Sequence, residues 1–191
     1  TAAVEIIEID DPAIANAGVE LLHQDVVQLQ REPLKGHQVI VRLDGATVLY
    51  HSTNQRVRTR PVLDSHLLGY VIFSPTTAGT VDGLPIRPDT LFIVPPGAEI
   101  GFVTDSGYES IGFLLDTEEL HTHLLARSRE NEFRVPHRSE AICVGAERSR
   151  KLFTWGQGLI ETAVRQPEIF NLYKEQRTSA RGDLIETLLT T

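Results

Sequence analysis

The stretch Asp89-Thr90-Leu91-Phe92-Ile93-Val94-Pro95-Pro96-Gly97 decides how the rest of the chain is read. It is an apolar run entered through Pro85-Ile86-Arg87-Pro88 and left through two prolines and a glycine. Proline has no N–H to give to a ladder, so a strand must stop at Pro95. Gly97 supplies a backbone conformation that other residues resist.

Similar runs lie on either side. His23 to Gln30, Gln38 to Leu43, Thr47 to Thr53 and Leu67 to Phe73 precede it; Glu99 to Val103 and Glu109 to Leu115 follow. Asp44-Gly45 and Asp82-Gly83 each sit between β-prone runs, where a tight hairpin needs positive φ. Short strands at spacings of roughly 8–12 residues predict a sandwich or small barrel. At Asp116-Thr117-Glu118-Glu119 the pattern turns helical, with an N-cap and the D-x-x-E spacing of a capping box. A helix over Thr117–Ser128 follows, then one from Ala146 to about Arg165, weakened by Gly156 and Gly158 at roughly 1 kcal/mol each. Pro167 ends or restarts it. Apolar residues from Ile169 to Leu189 predict a further helix or pair, with a break at Arg181-Gly182-Asp183. Asp10-Asp11-Pro12 predicts a short N-terminal helix. The expected division is a helical segment over 1–22, a barrel over 23–115 and a helical region over 116–191.

Composition narrows the function classes. Eighteen Lys and Arg against 26 Asp and Glu give a net charge of -8. Such a surface repels phosphate backbones, so this segment alone is a poor nucleic-acid binder. No apolar stretch approaches the roughly 20 residues needed to span a bilayer, and the acidic start has no signal-peptide character. One cysteine excludes an internal disulfide and favours the cytoplasm. With no methionine anywhere, an initiator is expected to have been removed, which is compatible with a trimmed piece of a longer chain.

Chemistry-bearing motifs are few. There is no G-x-S-x-G and no phosphate loop. Cys143 lies in an apolar run without an adjacent base and is expected to be buried. His121-Thr122-His123 falls on the helix, where i and i+2 diverge by about 200°, so one ring packs and the other is solvated. His51 and His66 are isolated, and His23, His37 and His137 have no clustered partners. Arg56, Arg58 and Arg60 share one face of an extended strand; they either receive an anion or form ion pairs with nearby carboxylates.

The Asp89–Gly97 segment resembles the second conserved motif of cupins. In the metal-binding cupins a histidine follows that glycine by three residues; here the position is Ile100. No His-x-His with a carboxylate stands on an earlier strand between Thr47 and Phe73. The resemblance therefore implies a cupin-like, double-stranded β-helix barrel (mainly β, α+β with C-terminal helices) with no metal and no cofactor. Leu34-Lys35-Gly36, Val39 to Leu43, Thr47 to Thr53, Thr53-Asn54-Gln55 and Arg58, followed by the G-x-P-x-x-P-x-x-L-x-x-x-P-P-G spacing of Gly83 to Gly97, are together similar to the N-terminal domain of AraC-family transcription regulators. The match is nearest to the group typified by the ethanolamine-operon regulator. That resemblance implies a non-enzymatic sensor that binds a small-molecule effector in its barrel. It also implies a homodimer through the C-terminal helices, and action on DNA through helix-turn-helix units outside this chain. Tyr50, Ser52, Arg58, Tyr70, Ile72, Phe102 and Tyr108 are the candidate pocket residues, each dependent on strand register. The alternatives are a small cupin enzyme (isomerase or dioxygenase) and a stand-alone ligand-binding dimer.

Overall fold

In a computed structural model that describes residues 2–13 and 22–191, the Asp-Gly pairs make the two tight turns that the sequence predicts. Asp44 and Gly45 have φ of 51° and 98°, and Asp82 and Gly83 have 48° and 80°. The first turn joins β3 (Gly36–Arg42) to β4 (Ala46–Thr53) and sets their register at Arg42 opposite Thr47. The second joins β7 (Gly79–Val81) to β8 (Leu84–Pro85). The deciding stretch forms β9 (Thr90–Val94), which stops at Pro95 as expected.

The remaining strands are β1 (Val4–Ile9), β2 (Leu22–Gln28), β5 (Val57–Leu63), β6 (Leu67–Phe73), β10 (Phe102–Thr104), β11 (Tyr108–Asp116) and β12 (Glu140–Cys143). They form two antiparallel sheets. One has the order β1-β3-β4-β11-β6-β9-β12 and the other β2-β5-β10-β7-β8. Outside the two hairpins, strands such as β5 and β6 or β9 and β10 follow one another in sequence but fall on opposite sheets, while β4 and β6 both pair with β11. This is jelly-roll connectivity, the double-stranded β-helix of cupins.

Helices add a third layer. They are α1 (Thr117–Leu125), α2 (Ala146–Arg165), α3 (Glu168–Leu172) and α4 (Lys174–Thr190). The central strands of the large sheet are thus buried on both faces. Ile40, Leu49, Leu63, Phe73, Phe92 and Leu114 pack between the sheets. Val39, Val41, Val48, Ile111 and Phe113 pack on the other face against Leu152, Phe153, Ile160, Leu184 and Ile185. Gly156 marks a close approach of α2 to the sheet, since an added Cβ would stand 3.0 Å from Ile111 Cδ1 and 3.0 Å from Phe113 Cζ. The glycine that weakens the isolated helix is what lets it lie on the sheet.

Asp116 caps α1, its Oδ1 accepting from the N–H groups of Glu118 and Glu119 at 2.9 and 3.1 Å. The reciprocal half of the capping box is not made. The Glu119 carboxylate instead accepts from Arg181 Nη1 at 2.8 Å. Arg181 also donates to the Asp44 carbonyl, and Arg177 Nε donates to the Asp44 carboxylate at 3.0 Å. The last helix is therefore tied to the β3–β4 turn.

Four expectations need correction. Val4–Ile9, within the segment read as helical, is strand β1, held at the sheet edge by Glu5–Arg42 and Glu8–His37 pairs, both at 2.8 Å. The helix expected from Pro12 onward falls outside the described residues after Ala13. Glu140–Cys143, inside the stretch read as helical, is β12, added to the sheet beside β9. Cys143 is exposed, not buried, and its thiol faces Asp89 Oδ2 at 3.4 Å. Finally, α4 runs unbroken through Arg181-Gly182-Asp183, because Leu184 and Ile185 are buried there and their packing outweighs the local stop signal. The histidine pair on α1 behaves as expected: His121 is exposed, and His123 packs with Nε2 3.2 Å from Glu186 Oε1.

Candidate ligand cavity between the sheets

Alternation along the central strands of the large sheet assigns one set of side chains to the helices and the other to the interior of the sandwich. Leu49 and His51 of β4, Gly69, Val71 and Phe73 of β6, and Tyr108, Ser110, Gly112 and Leu114 of β11 point inward. The small sheet answers with Thr59, Pro61 and Leu63 of β5 and Phe102 and Thr104 of β10; Val94 and Ile100 complete the wall. Between them is a cavity of about 80 Å³. Its space arises where side chains are missing or small. A Cβ on Gly112 would come no nearer than 3.8 Å to any neighbour.

Most of the wall is aliphatic or aromatic, and four of its five polar residues, His51, Thr104, Tyr108 and Ser110, lie toward the end where β10 turns into β11. The Tyr108 hydroxyl and His51 Nδ1 are 2.9 Å apart, with the two rings edge to face at 5.5 Å. His51 Nε2 is buried and has no hydrogen-bond partner, as is Thr104 Oγ1. Burial pushes His51 down to about 4, so the imidazole is neutral near pH 7. Burial, with a smaller contribution from Tyr50, raises the Tyr108 phenol above its ordinary value and keeps it protonated. No Lys, Arg, Asp or Glu lines the cavity. Its chemistry is that of a mostly apolar chamber with a neutral donor–acceptor pole. This donor set does not fit a metal: His51 has no second ligand beside it in the wall, and Ile100 is aliphatic. Among the described residues, no group of three or more His, Cys, Asp or Glu is placed to hold one.

Of the seven pocket candidates read from the sequence, Phe102 and Tyr108 line this cavity. The other five lie elsewhere. Tyr50 and Ser52 are on the opposite face of β4. Tyr50 borders a shallow groove beside Gln157 and Ile160 of α2, and Ser52 lines a surface depression with Lys35 and Glu109. Tyr70 and Ile72 belong to the core under the helices, where burial raises the Tyr70 phenol. Arg58 is on the outer face of β5, 3.6 Å from Asp25. Arg56 meets Asp105 at 3.2 Å, so two of the three clustered arginines are in ion pairs. Arg58 and Arg60 share their outer groove with Asp82 and Glu99.

The sequence reading missed His51, Thr59, Thr104 and Ser110. A signal for Thr59 existed: in Val57-Arg58-Thr59-Arg60-Pro61 the charged residues mark the outer face, so the residues between them point inward.

No protein-family model and no curated protein matches the sequence. Among solved structures the chain is similar to the AraC-like transcriptional activator CuxR, with a TM-score of 0.60 at 12% identity, over 97% of this chain and 68% of that one. The cupin domain of Cnp3 from Schizosaccharomyces pombe gives a TM-score of 0.28 at 14% identity, over 64% of this chain and 90% of that one. A point mutant of oxalate decarboxylase OxdC from Bacillus subtilis gives 0.25 at 10%, over 60% and 38%. The last two scores are too low to carry an argument. The first, with the strand connectivity, establishes the fold: a cupin-like jelly roll followed by helices, arranged as in an AraC-like activator.

Proposed function

We propose that this chain is the effector-sensing part of an AraC-type transcription regulator, with no catalytic role, and that a small molecule occupies the cavity between its sheets. The observation that carries this reading is the position of the cavity wall. Strands β4, β6 and β11 line the cavity with one face and support the helices with the other. Gly112 and Leu114 look into the cavity, while Ile111 and Phe113, one residue away, touch α2 at Gly156. A molecule that fits one arrangement of β11 better than another shifts the seating of α2 by that difference in affinity and no more.

The rest of the reading follows the sequence resemblance to AraC-family regulators. The helices dimerise and lead to a DNA-binding unit outside this chain, and the protein works in the cytoplasm; the ethanolamine-regulator subtype belongs to the same proposal. The net charge of -8 suits a segment that leaves DNA contact to another part. No described helix is long and apolar enough to cross a membrane.

The test is a reporter assay with the full-length gene product carrying Gly112→Leu, which places a side chain in the cavity. The expected result is a response fixed at one level whatever the growth condition, with operator binding retained. A variant that still responds like the parent would refute a sensing role for the cavity.

A further inference from the structure

One further polar side chain stands beside the polar end of the cavity, outside its lining. Gln38 of β3 is directly opposite His51 of β4 in the antiparallel register, so the two side chains share the face between the sheets. Gln38 is fully buried, and neither Oε1 nor Nε2 of its amide has a partner. With His51 Nε2 and Thr104 Oγ1, four neutral polar atoms on three residues between the sheets are without a hydrogen-bond partner. Buried polar atoms are almost always hydrogen-bonded, and each one left without a partner is costly. The Tyr108 hydroxyl holds His51 Nδ1, which fixes the ring and leaves Nε2 as its free position.

We infer that His51, Thr104 and Gln38 form a head-group subsite for an uncharged hydrogen-bonding group, and that the ligand is a small neutral amphiphile: a short aliphatic body carrying one hydroxyl, carbonyl or amide. This deepens the sensing reading and rests on it. The body lies against Leu49, Val71, Phe73 and Leu114. The head meets His51 Nε2 and Thr104 Oγ1, and Gln38 supports it from behind His51 with a donor and an acceptor. An ionised head is disfavoured because no opposite charge lines the chamber to offset its desolvation. The cavity of about 80 Å³ limits the body. An apolar cavity of roughly 150 Å³ takes a benzene ring, so a chain of a few carbons is the right scale here.

The test uses four probes of similar size: n-butanol, n-pentane, butyrate and n-butylammonium. Each is titrated into the protein while the ¹⁵N signals of the His51 imidazole and the methyl signals of Leu49 and Leu114 are followed. Butanol is expected to shift the Nε2 resonance saturably, and the two ions are expected to leave it unmoved. Thr104→Val keeps the shape and removes the hydroxyl; it should weaken butanol roughly ten-fold while leaving pentane within about two-fold. Because it is isosteric, the folded spectrum of this variant serves as its own control. Butanol binding that is unchanged in Thr104→Val, or an ion that binds better, overturns the head-group subsite while the cavity reading stands. If no probe moves the Leu49 and Leu114 methyls, both fail.

Discussion

Two glycines on α2, two residues apart, offer a sharp test of how the helix meets the sheet. Gly158 is exposed, and a Cβ placed on it meets nothing within 4 Å. Gly158→Ala should therefore gain the full helix-propensity difference, about 1 kcal/mol. Gly156 is buried, and its Cβ would stand 3.0 Å from Ile111 Cδ1, 3.0 Å from Phe113 Cζ and 3.1 Å from Ile111 Cγ2. These contacts are tight enough that the Ile111 and Phe113 side chains must give way. Both are fully buried, and Phe113 is also held against Trp155 with ring centroids at 6.1 Å. Overpacking of this kind costs about 1–3 kcal/mol. Set against the same propensity gain, Gly156→Ala comes out between neutral and about 2 kcal/mol destabilising. The two variants should thus differ by about 1–3 kcal/mol although the local sequence change is identical. Urea denaturation with both variants beside the parent measures this directly, and in a chain of this size each kcal/mol moves Tm by about 2–4 °C. If Gly156→Ala stabilises as much as Gly158→Ala, α2 does not lie on β11 as described, and the route from cavity wall to helix is lost.

Other outcomes follow from single contacts. His51 is neutral in the fold with its value lowered to about 4, against an ordinary value near 6.5. The unfolded chain binds that proton more readily, so the stability is complete above about pH 6.5 and falls as pH drops toward 4, by up to ~3 kcal/mol; comparing the pH dependence of unfolding with that of His51→Leu should show this slope only in the parent. Asp116→Ala removes the cap of α1 and should cost about 0.5–2 kcal/mol in the same assay. A double-mutant cycle on Arg181→Ala and Glu119→Ala should give a coupling of about 0.5–1 kcal/mol, because the pair sits at 2.8 Å on the partly exposed face of α4. Cys143 is exposed, so the native protein should react with one equivalent of a thiol reagent without denaturant.

The fold was readable wherever turn chemistry spoke. Asp44-Gly45, Asp82-Gly83 and Pro95-Pro96 mark strand ends for local steric reasons, and Asp116 starts a helix for a local hydrogen-bonding reason. What was not readable was which face of a strand looks into the sandwich. In β4, Ala46 to Leu49 are all buried, and in β6 so are Leu67 to Tyr70, because this sheet packs on the second sheet and on the helices. Alternation vanishes on a strand covered on both sides, so Tyr50 and Tyr70 read as well as His51 and Val71. A one-residue change of phase separates the two choices. Strand β5, with solvent on one side, kept a visible pattern. Strand β12 was missed for a related reason: all four of its residues are exposed, and it exists through its ladder with β9 rather than through any apolar face.

Occupancy of the cavity should be felt by the helices on the far side of the large sheet. Methyl NMR of the protein titrated with n-butanol tests it most directly. The account predicts saturable shifts of Leu49 and Leu114 in the cavity wall, accompanied at the same midpoint by Ile111 and by Leu152 of α2. Shifts confined to the wall, with Leu152 unmoved at saturation, would contradict it.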